Sequence, residues 1–220
     1  MHLEILDERR IRLLRALVEL PELAVFYLAG GTALSLQLGL RKSYDFDFFS
    51  EQRFNSYALL AQMKERWKDL KVIHVDQDTC DVILDDVQTS FLWYPYPLVS
   101  GFITDDATLP GLKLCGVEDI AMMKLSAIGS RGSRKDFFDL YQIYQSVPQF
   151  DSRTLLSSAH RKFGEDFDLT YMIAGMSYFD VADSEVLPET FVTADWECVK
   201  QFFRGEQAVL FEMEAMRYEI

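Results

Sequence analysis

The sequence predicts an α+β protein, in which a small mixed β-sheet is flanked by helices and is followed by a helical C-terminal part. Short apolar runs typical of strands alternate with amphipathic helical segments through the first 150 residues. Residues 151–220 show mostly helical periodicity, with a loop around 183–188. We therefore predict a first domain at residues 1–150, with a helical region at residues 151–220 packed on it.

The elements follow from local patterns. Residues 3–20 carry an apolar stripe at helical spacing and end at Pro21, and residues 24–29 form a short apolar strand that Gly30 and Gly31 break. Residues 44–49 alternate acidic with aromatic side chains, as strands do, and Asp85-Asp86 predicts a tight turn between two strands. Predicted helices cover 3–20, 32–38, 56–69, 117–128 and 135–145, and predicted strands cover 24–29, 44–49, 71–75, 80–84 and 87–94, with a short strand near Leu112.

The composition is typical of a globular protein. The chain has 220 residues, of which 49% are hydrophobic and 26% charged, as is usual for a globular protein. No stretch reaches the roughly 18 apolar residues of a membrane span, and the charged N-terminal helix does not resemble a secretory signal. The three cysteines are widely spaced and predict neither disulfides nor a zinc site. We expect a cytoplasmic protein without a membrane partner.

The net charge of -13 limits the nucleic-acid contacts that we expect. A protein that grips a nucleic-acid backbone over a broad surface usually carries an excess of lysine and arginine. Any contact with nucleic acid is therefore expected to be local, and a basic protein partner is compatible with the charge.

The strongest chemical signal combines Gly30-Gly31-Thr32 with Asp45 and Asp47. Two glycines after a strand let the backbone approach a phosphate, and the helix that they open directs its free N–H groups to the same place. The two aspartates, two apart on a strand, lie on one face with Cα atoms roughly 6.5–7 Å apart. Carboxylates so placed can hold Mg²⁺ together with substrate phosphates.

Each half of this signal has an ordinary interpretation, since a lone glycine pair is usually a turn and a lone pair of acids is usually solvated. The sequence between them favours the functional interpretation. Phe46, Phe48 and Phe49 predict a strand buried on its other face, which would hold the two acids rigidly.

A second constellation consists of Lys124, Asp136 and Asp139. Lys124 lies in an apolar helical stripe and needs a partner, because an unpaired buried charge is costly. Either aspartate of the next helix, or a bound triphosphate, would serve, and the structural ion pair remains an alternative to a catalytic role. Arg41 and Ser43 are further candidates for contacts to phosphate. The aromatic run at 91–97 fits a base-stacking platform, but strand core followed by a proline-rich turn is the alternative that we favour.

Long segments resemble the AbiEii/AbiGii toxin family of nucleotidyltransferases, which belongs to the polymerase-beta-like superfamily. The segments are LAGGTALSLQLGLRKSYDFDFFS, SFLWYPYPL, AMMKLSAIGSRGSRKDFFDLY and the tail SYFDVADSE…DWECVKQFF. The resemblance implies the nucleotidyltransferase fold and an enzyme that uses a nucleoside triphosphate with Mg²⁺ or Mn²⁺. It also implies a toxin-like component of a toxin–antitoxin or phage-defence pair, with a cognate antitoxin and transfer RNA as one acceptor.

The resemblance also assigns roles to individual residues. Gly30, Gly31 and Thr32 match the phosphate-binding motif, Asp45 and Asp47 match the metal carboxylates, and Lys124 matches the lysine that contacts the nucleotide phosphates. The last aspartate of the family falls within KDFFDL, where Asp139 is favoured over Asp136 to orient or deprotonate the acceptor.

One departure from the superfamily pattern is visible. Many of its members carry a third acid on a neighbouring strand, whereas the strand expected here offers Thr89 or Ser90. Two alternatives therefore accompany transfer to RNA. One is a nucleotide-binding or interaction protein with little or no turnover, and the other is a nucleotidyltransferase that modifies a protein hydroxyl.

Overall fold

The computed structural model describes residues 1–104, 107–165, 167–187 and 189–217. The chain forms two compact units, Met1–Gly116 and Val117–Ile220. The predicted division at residue 150 was drawn from sequence pattern and stays a prediction.

The first unit is built on a mixed β-sheet, as predicted. Within the described residues its strands are β1 (Tyr27–Ala29), β2 (Phe46–Ser50), β3 (Lys71–Val75), β4 (Thr79–Leu84), β5 (Val87–Trp93), β6 (Phe102–Thr104) and β7 (Lys113–Cys115). These seven strands form one sheet in the order β3-β4-β5-β2-β1-β7-β6. β2 runs antiparallel to β1 and parallel to β5, and β4 and β5 form an antiparallel hairpin.

The helices of the first unit begin and end at residues with a clear local reason. The side chain of Asp7 caps α1 (Glu8–Val18) by accepting a hydrogen bond from the Arg10 N–H at 2.9 Å. The side chain of Asn55 caps α3 (Ser56–Arg66) in the same way. Helix α2 (Gly30–Leu38) ends at Gly39, whose φ of 65° is the left-handed conformation that glycine accepts at a helix C-terminus.

In β2 and β4, one face of the sheet is buried and the other is partly exposed. Phe46 and Phe48 of β2 are buried, as are Cys80 and Val82 of β4, and α3 packs on the strand that carries the latter two. The prediction that Phe49 is buried on the face opposite the aspartates is wrong. Strand alternation places Phe49 on the face of Asp47, where it stacks on Tyr27 with ring centroids 6.2 Å apart. The aspartate strand is therefore buried mainly through its other two phenylalanines.

The second unit is helical within the described residues. The helices are α4 (Val117–Ser130), α5 (Arg134–Ser146), α6 (Ser152–Phe163), α7 (Thr170–Gly175), α8 (Asp180–Ser184) and α9 (Trp196–Arg217). Close packing of α4 on α7 depends on two glycines, since a Cβ atom on Gly175 would lie 2.7 Å from Cα of Gly129.

Most predicted elements are confirmed with shifts of a few residues at their ends. Helix α2 begins at Gly30, two residues earlier than predicted, and strand Phe102–Thr104 was not predicted at all. That strand is short and exposed along its length, so it lacks the alternating burial that marks a strand in sequence. None of the described helices is long and apolar enough to cross a membrane.

Candidate functional site

The glycine motif lies where β1 leads into α2. Gly30 has a φ of 64°, a backbone conformation that glycine adopts without strain. A Cβ atom at Gly30 would lie 2.7 Å from Oδ2 of Asp47, which is closer than real Cβ contacts allow. The glycine therefore lets the first turn of the helix and the Asp47 carboxylate come together.

Asp47 lies in β2, and Asp45 is the residue immediately before that strand. Asp47 is half-buried and its Cα pairs with Ala29 across the antiparallel ladder, whereas Asp45 is exposed and precedes the strand. Backbone alternation from Phe46 to Ser50 supports a shared face for the two acids. The structure thus places the glycine motif and at least one of the predicted metal ligands in direct proximity.

The Thr32 and Ser43 hydroxyls close the loop that precedes the strand. Thr32 is buried, and its Oγ1 lies within hydrogen-bond distance of both the Asp45 carbonyl oxygen and the Ser43 Oγ, the latter at 2.6 Å. The Thr32 hydroxyl has a single proton, so the Asp45 carbonyl oxygen and the Ser43 Oγ compete for the same donor. Both hydroxyls fix the backbone that carries the first aspartate.

Arg41 packs against the second glycine. Its guanidinium is buried and donates from Nη1 to the Lys42 carbonyl oxygen at 3.0 Å. A side chain at Gly31 would overlap the same guanidinium. A cationic group therefore lies beside the first turn of α2, where the helix N–H groups already favour an anion.

The donors at this place fit a hard divalent cation. Within the described part of the chain, no three His, Cys, Asp or Glu side chains form a group that could hold a metal by themselves. Proteins commonly bind Mg²⁺ through one or two carboxylates, with substrate phosphates and water completing the coordination. Asp45 and Asp47 are the residues that would hold it.

The strand beside β2 offers no acid next to Asp47, as the sequence indicated. In the parallel ladder between β2 and β5, Phe46 pairs with Thr89 and Asp47 with Ser90. A hydroxyl therefore occupies the position nearest to the Asp47 carboxylate on the neighbouring strand.

Lys124, Asp136 and Asp139 meet within the second unit. The Lys124 ammonium lies 2.9 Å from Oδ1 of Asp136 and 2.7 Å from Oδ2 of Asp139. Both carboxylates are fully buried and Lys124 is 5% exposed. The predicted partner of the buried lysine is thus not one aspartate or the other but both.

Arg131 is a further member of this cluster that the sequence analysis did not predict. It reaches Asp136 with two hydrogen bonds, Nε to Oδ2 at 2.8 Å and Nη2 to Oδ1 at 3.0 Å. Burial raises the pKa of Asp136, but Lys124 and Arg131 outweigh that effect and lower the pKa to about 2. A cation five residues before an acid, at the end of the preceding helix, is the signal that could have revealed the pair.

The chain is similar in sequence to known proteins. Residues 12–114 match the family model described as nucleotidyl transferase AbiEii toxin, type IV TA system. An uncharacterised protein of Aquifex aeolicus (strain VF5), aq_aa25, is 34% identical over 181 residues, which is 81% of this chain and 84% of the relative.

Solved structures share the fold. The nucleotidyltransferase toxin MenT4 from Mycobacterium tuberculosis H37Rv superposes with a TM-score of 0.57 at 14% identity, covering 93% of this chain and 86% of that one. JHP933 from Helicobacter pylori gives a TM-score of 0.52 at 16% identity, covering 97% of both chains. The sequence matches and the shared fold together show that the chain belongs to the AbiEii nucleotidyltransferase toxin family.

Proposed function

We propose that this chain transfers a nucleoside monophosphate from a nucleoside triphosphate to an acceptor hydroxyl, with Mg²⁺ or Mn²⁺ held by Asp45 and Asp47. The observation that carries the proposal is the approach of Gly30 to Oδ2 of Asp47, where a Cβ atom would lie at 2.7 Å. A phosphate over the helix N-terminus and a cation on the carboxylate would then be neighbours, as transfer of a phosphoryl-type group requires.

The residues around the acids have distinct proposed tasks. Backbone N–H groups at Gly30 and Gly31 donate hydrogen bonds to phosphate oxygens, and Arg41 adds positive charge beside them. Thr32 and Ser43 hold the loop so that the carboxylates keep their place. A bound divalent cation would neutralise charge that develops on the phosphate oxygens.

Lys124 is proposed to contact the triphosphate, with Asp136 and Asp139 positioning its ammonium. Both acids are fully buried and within 2.9 Å of the lysine, which favours a positioning role over proton transfer. In such an arrangement the two carboxylates fix the lysine before any nucleotide binds.

The acceptor is proposed to be RNA, with transfer RNA as the first candidate. The net charge of -13 favours local contacts at the end of an RNA over a broad electrostatic surface. Membership of a toxin family supports an antitoxin partner and action in the cytoplasm.

The test is incubation of the purified protein with Mg²⁺, each of four labelled nucleoside triphosphates and total bacterial RNA. Label is expected in RNA with the unmodified protein and is expected to be lost in an Asp45→Asn/Asp47→Asn variant, which keeps the size of both side chains. Glu22→Gln serves as the control, because it removes a carboxylate from the short helical turn Pro21–Val25 and leaves both proposed metal ligands in place.

Each alternative outcome has a defined meaning. Label in protein instead of RNA would replace the RNA acceptor with a protein hydroxyl. Nucleotide binding without any transfer would favour a binding protein that has lost turnover. Absence of nucleotide binding would refute the proposed site itself.

A further inference from the structure

Strand pairing brings a third aspartate onto the face that carries Asp47. Asp47 pairs with Ser90 across the parallel ladder of β2 and β5, and Ser90 pairs with Asp81 across the antiparallel ladder of β5 and β4. Directly paired residues project to the same face of a sheet, and two strand spacings separate the outer Cα atoms by roughly 9.6 Å. These three residues form the Asp47–Ser90–Asp81 row.

The surroundings of the Asp81 carboxylate do not stabilise the fold. Its Oδ1 atom is enclosed and has no hydrogen-bond partner among the described residues. His74 lies opposite Asp81 on β3, but its ring bonds to Asp76 at 2.9 Å. An enclosed carboxylate oxygen without a donor costs stability, which indicates that the acid serves something other than folding.

The other acids with a proposed role already have partners or ligands assigned to them. Asp45 and Asp47 are the proposed metal ligands, and a carboxylate bound to a cation is a poor proton acceptor. Asp136 and Asp139 are fully buried and paired with Lys124. The acceptor hydroxyl must nevertheless lose a proton as it attacks, and a carboxylate within hydrogen-bond reach is a suitable base.

We propose that Asp81 is the general base of the transfer reaction, acting on an acceptor hydroxyl that sits above Ser90. The hydroxyl oxygen forms a bond to the α-phosphorus, and the bond from that phosphorus to the oxygen bridging the β-phosphate breaks. Pyrophosphate leaves with the bonding electrons, and the hydroxyl proton passes to the Asp81 carboxylate. This inference rests on the proposed function and adds a catalytic residue to it.

The experiment compares Asp81→Asn with Asp85→Asn in the full chain. Asp85 is exposed in the turn between β4 and β5, with a φ of 48° that asparagine tolerates, so it matches the chemical change while leaving the row intact. Three quantities are measured for each variant: kcat for label transfer from nucleoside triphosphate to RNA, the Kd for the Mg²⁺-bound nucleotide, and Tm without metal or nucleotide.

Asp81→Asn is expected to lower kcat by roughly 10²–10⁴-fold, as loss of a general base does. Nucleotide Kd is expected to stay within twofold, and Tm is expected to equal or exceed that of the unmodified protein. Asp85→Asn is expected to match the unmodified protein in all three quantities.

Two results would overturn the assignment while the proposed function stands. One is a kcat for Asp81→Asn within threefold of the unmodified protein, under conditions where Asp47→Asn abolishes transfer. The other is a lowered Tm accompanied by equal losses in kcat and nucleotide binding, which would make Asp81 a structural residue. An unmodified protein that transfers nothing to RNA or protein would refute the proposed function, and the inference with it.

Discussion

Replacement of Gly30 by alanine probes the contact on which the proposed site depends. The added methyl group would lie 2.7 Å from Oδ2 of Asp47, in a backbone with a φ of 64°. An L-residue in that conformation costs roughly 1–2 kcal/mol, and moving the carboxylate off its rotamer costs about 0.5–1.5 kcal/mol more. We expect a loss of roughly 1.5–3.5 kcal/mol in unfolding free energy, together with a displaced Asp47.

A matched control separates the two costs. Gly101 has a φ of 74° and nothing within 4 Å of an added Cβ, so Gly101→Ala carries only the backbone cost. For a chain of this size, each kcal/mol lowers Tm by roughly 2–4 °C. Thermal unfolding of both variants and Mn²⁺ titration in the presence of nucleotide provide the assay.

The expected result is a larger Tm loss for Gly30→Ala than for Gly101→Ala, with Mn²⁺-nucleotide binding weakened at least tenfold in the former alone. Equal Tm losses with unchanged binding in both variants would refute the reasoning, because the contact to Asp47 would then have no consequence.

Three further predictions concern stability. Lys124→Met leaves Asp136 and Asp139 buried without their shared cation and is expected to cost about 3–5 kcal/mol of unfolding free energy, measured in urea. Lys68 is exposed, so Lys68→Met should cost under about 0.5 kcal/mol. A smaller loss for Lys124→Met than for Lys68→Met would contradict the ion-pair account. The folded pKa of Asp136, about 2, lies below its ordinary value of 3.8, so its contribution is complete above pH 3.8 and is lost as pH falls towards 2. Stability measured against pH should show this loss, roughly 2 kcal/mol, in the unmodified protein but not in Asp136→Asn. Thr32→Val removes the donor that closes the loop ahead of β2 and is expected to cost about 1–3 kcal/mol in urea unfolding, and an unchanged midpoint would exclude that bond.

Local features were predictable because each depends on neighbours in sequence. The Asp85-Asp86 turn has φ values of 48° and 60°, as the tight hairpins of strand pairs require, and acidic residues tolerate that conformation. The glycine pair and the two aspartates were singled out by their spacing and by the strand and helix patterns around them. Their proximity, with Gly30 against Asp47, follows from one short antiparallel pairing.

Features that depend on distant pairing could not be predicted in the same way. The row from Asp47 to Asp81 exists only because β2 and β5 pair in parallel in one register, and a shift by one residue would turn Ser90 to the other face. Nothing within TCDVIL distinguishes that aspartate from a solvated one. The second partner of Lys124 also required the packing of α4 on α5, since either aspartate satisfies the local pattern.

The ion pairs around Lys124 limit the contacts that this lysine can make with a further ligand. Lys124 and Arg131 carry two positive charges against the two negative charges of Asp136 and Asp139. An ammonium has three N–H donors, and two are directed to carboxylates at 2.9 and 2.7 Å, so at most one remains for a phosphate oxygen. In the proposed function, the lysine would therefore be a single fixed point of contact, and the proposed cation, the N-terminus of α2 and Arg41 would supply the rest of the neutralisation.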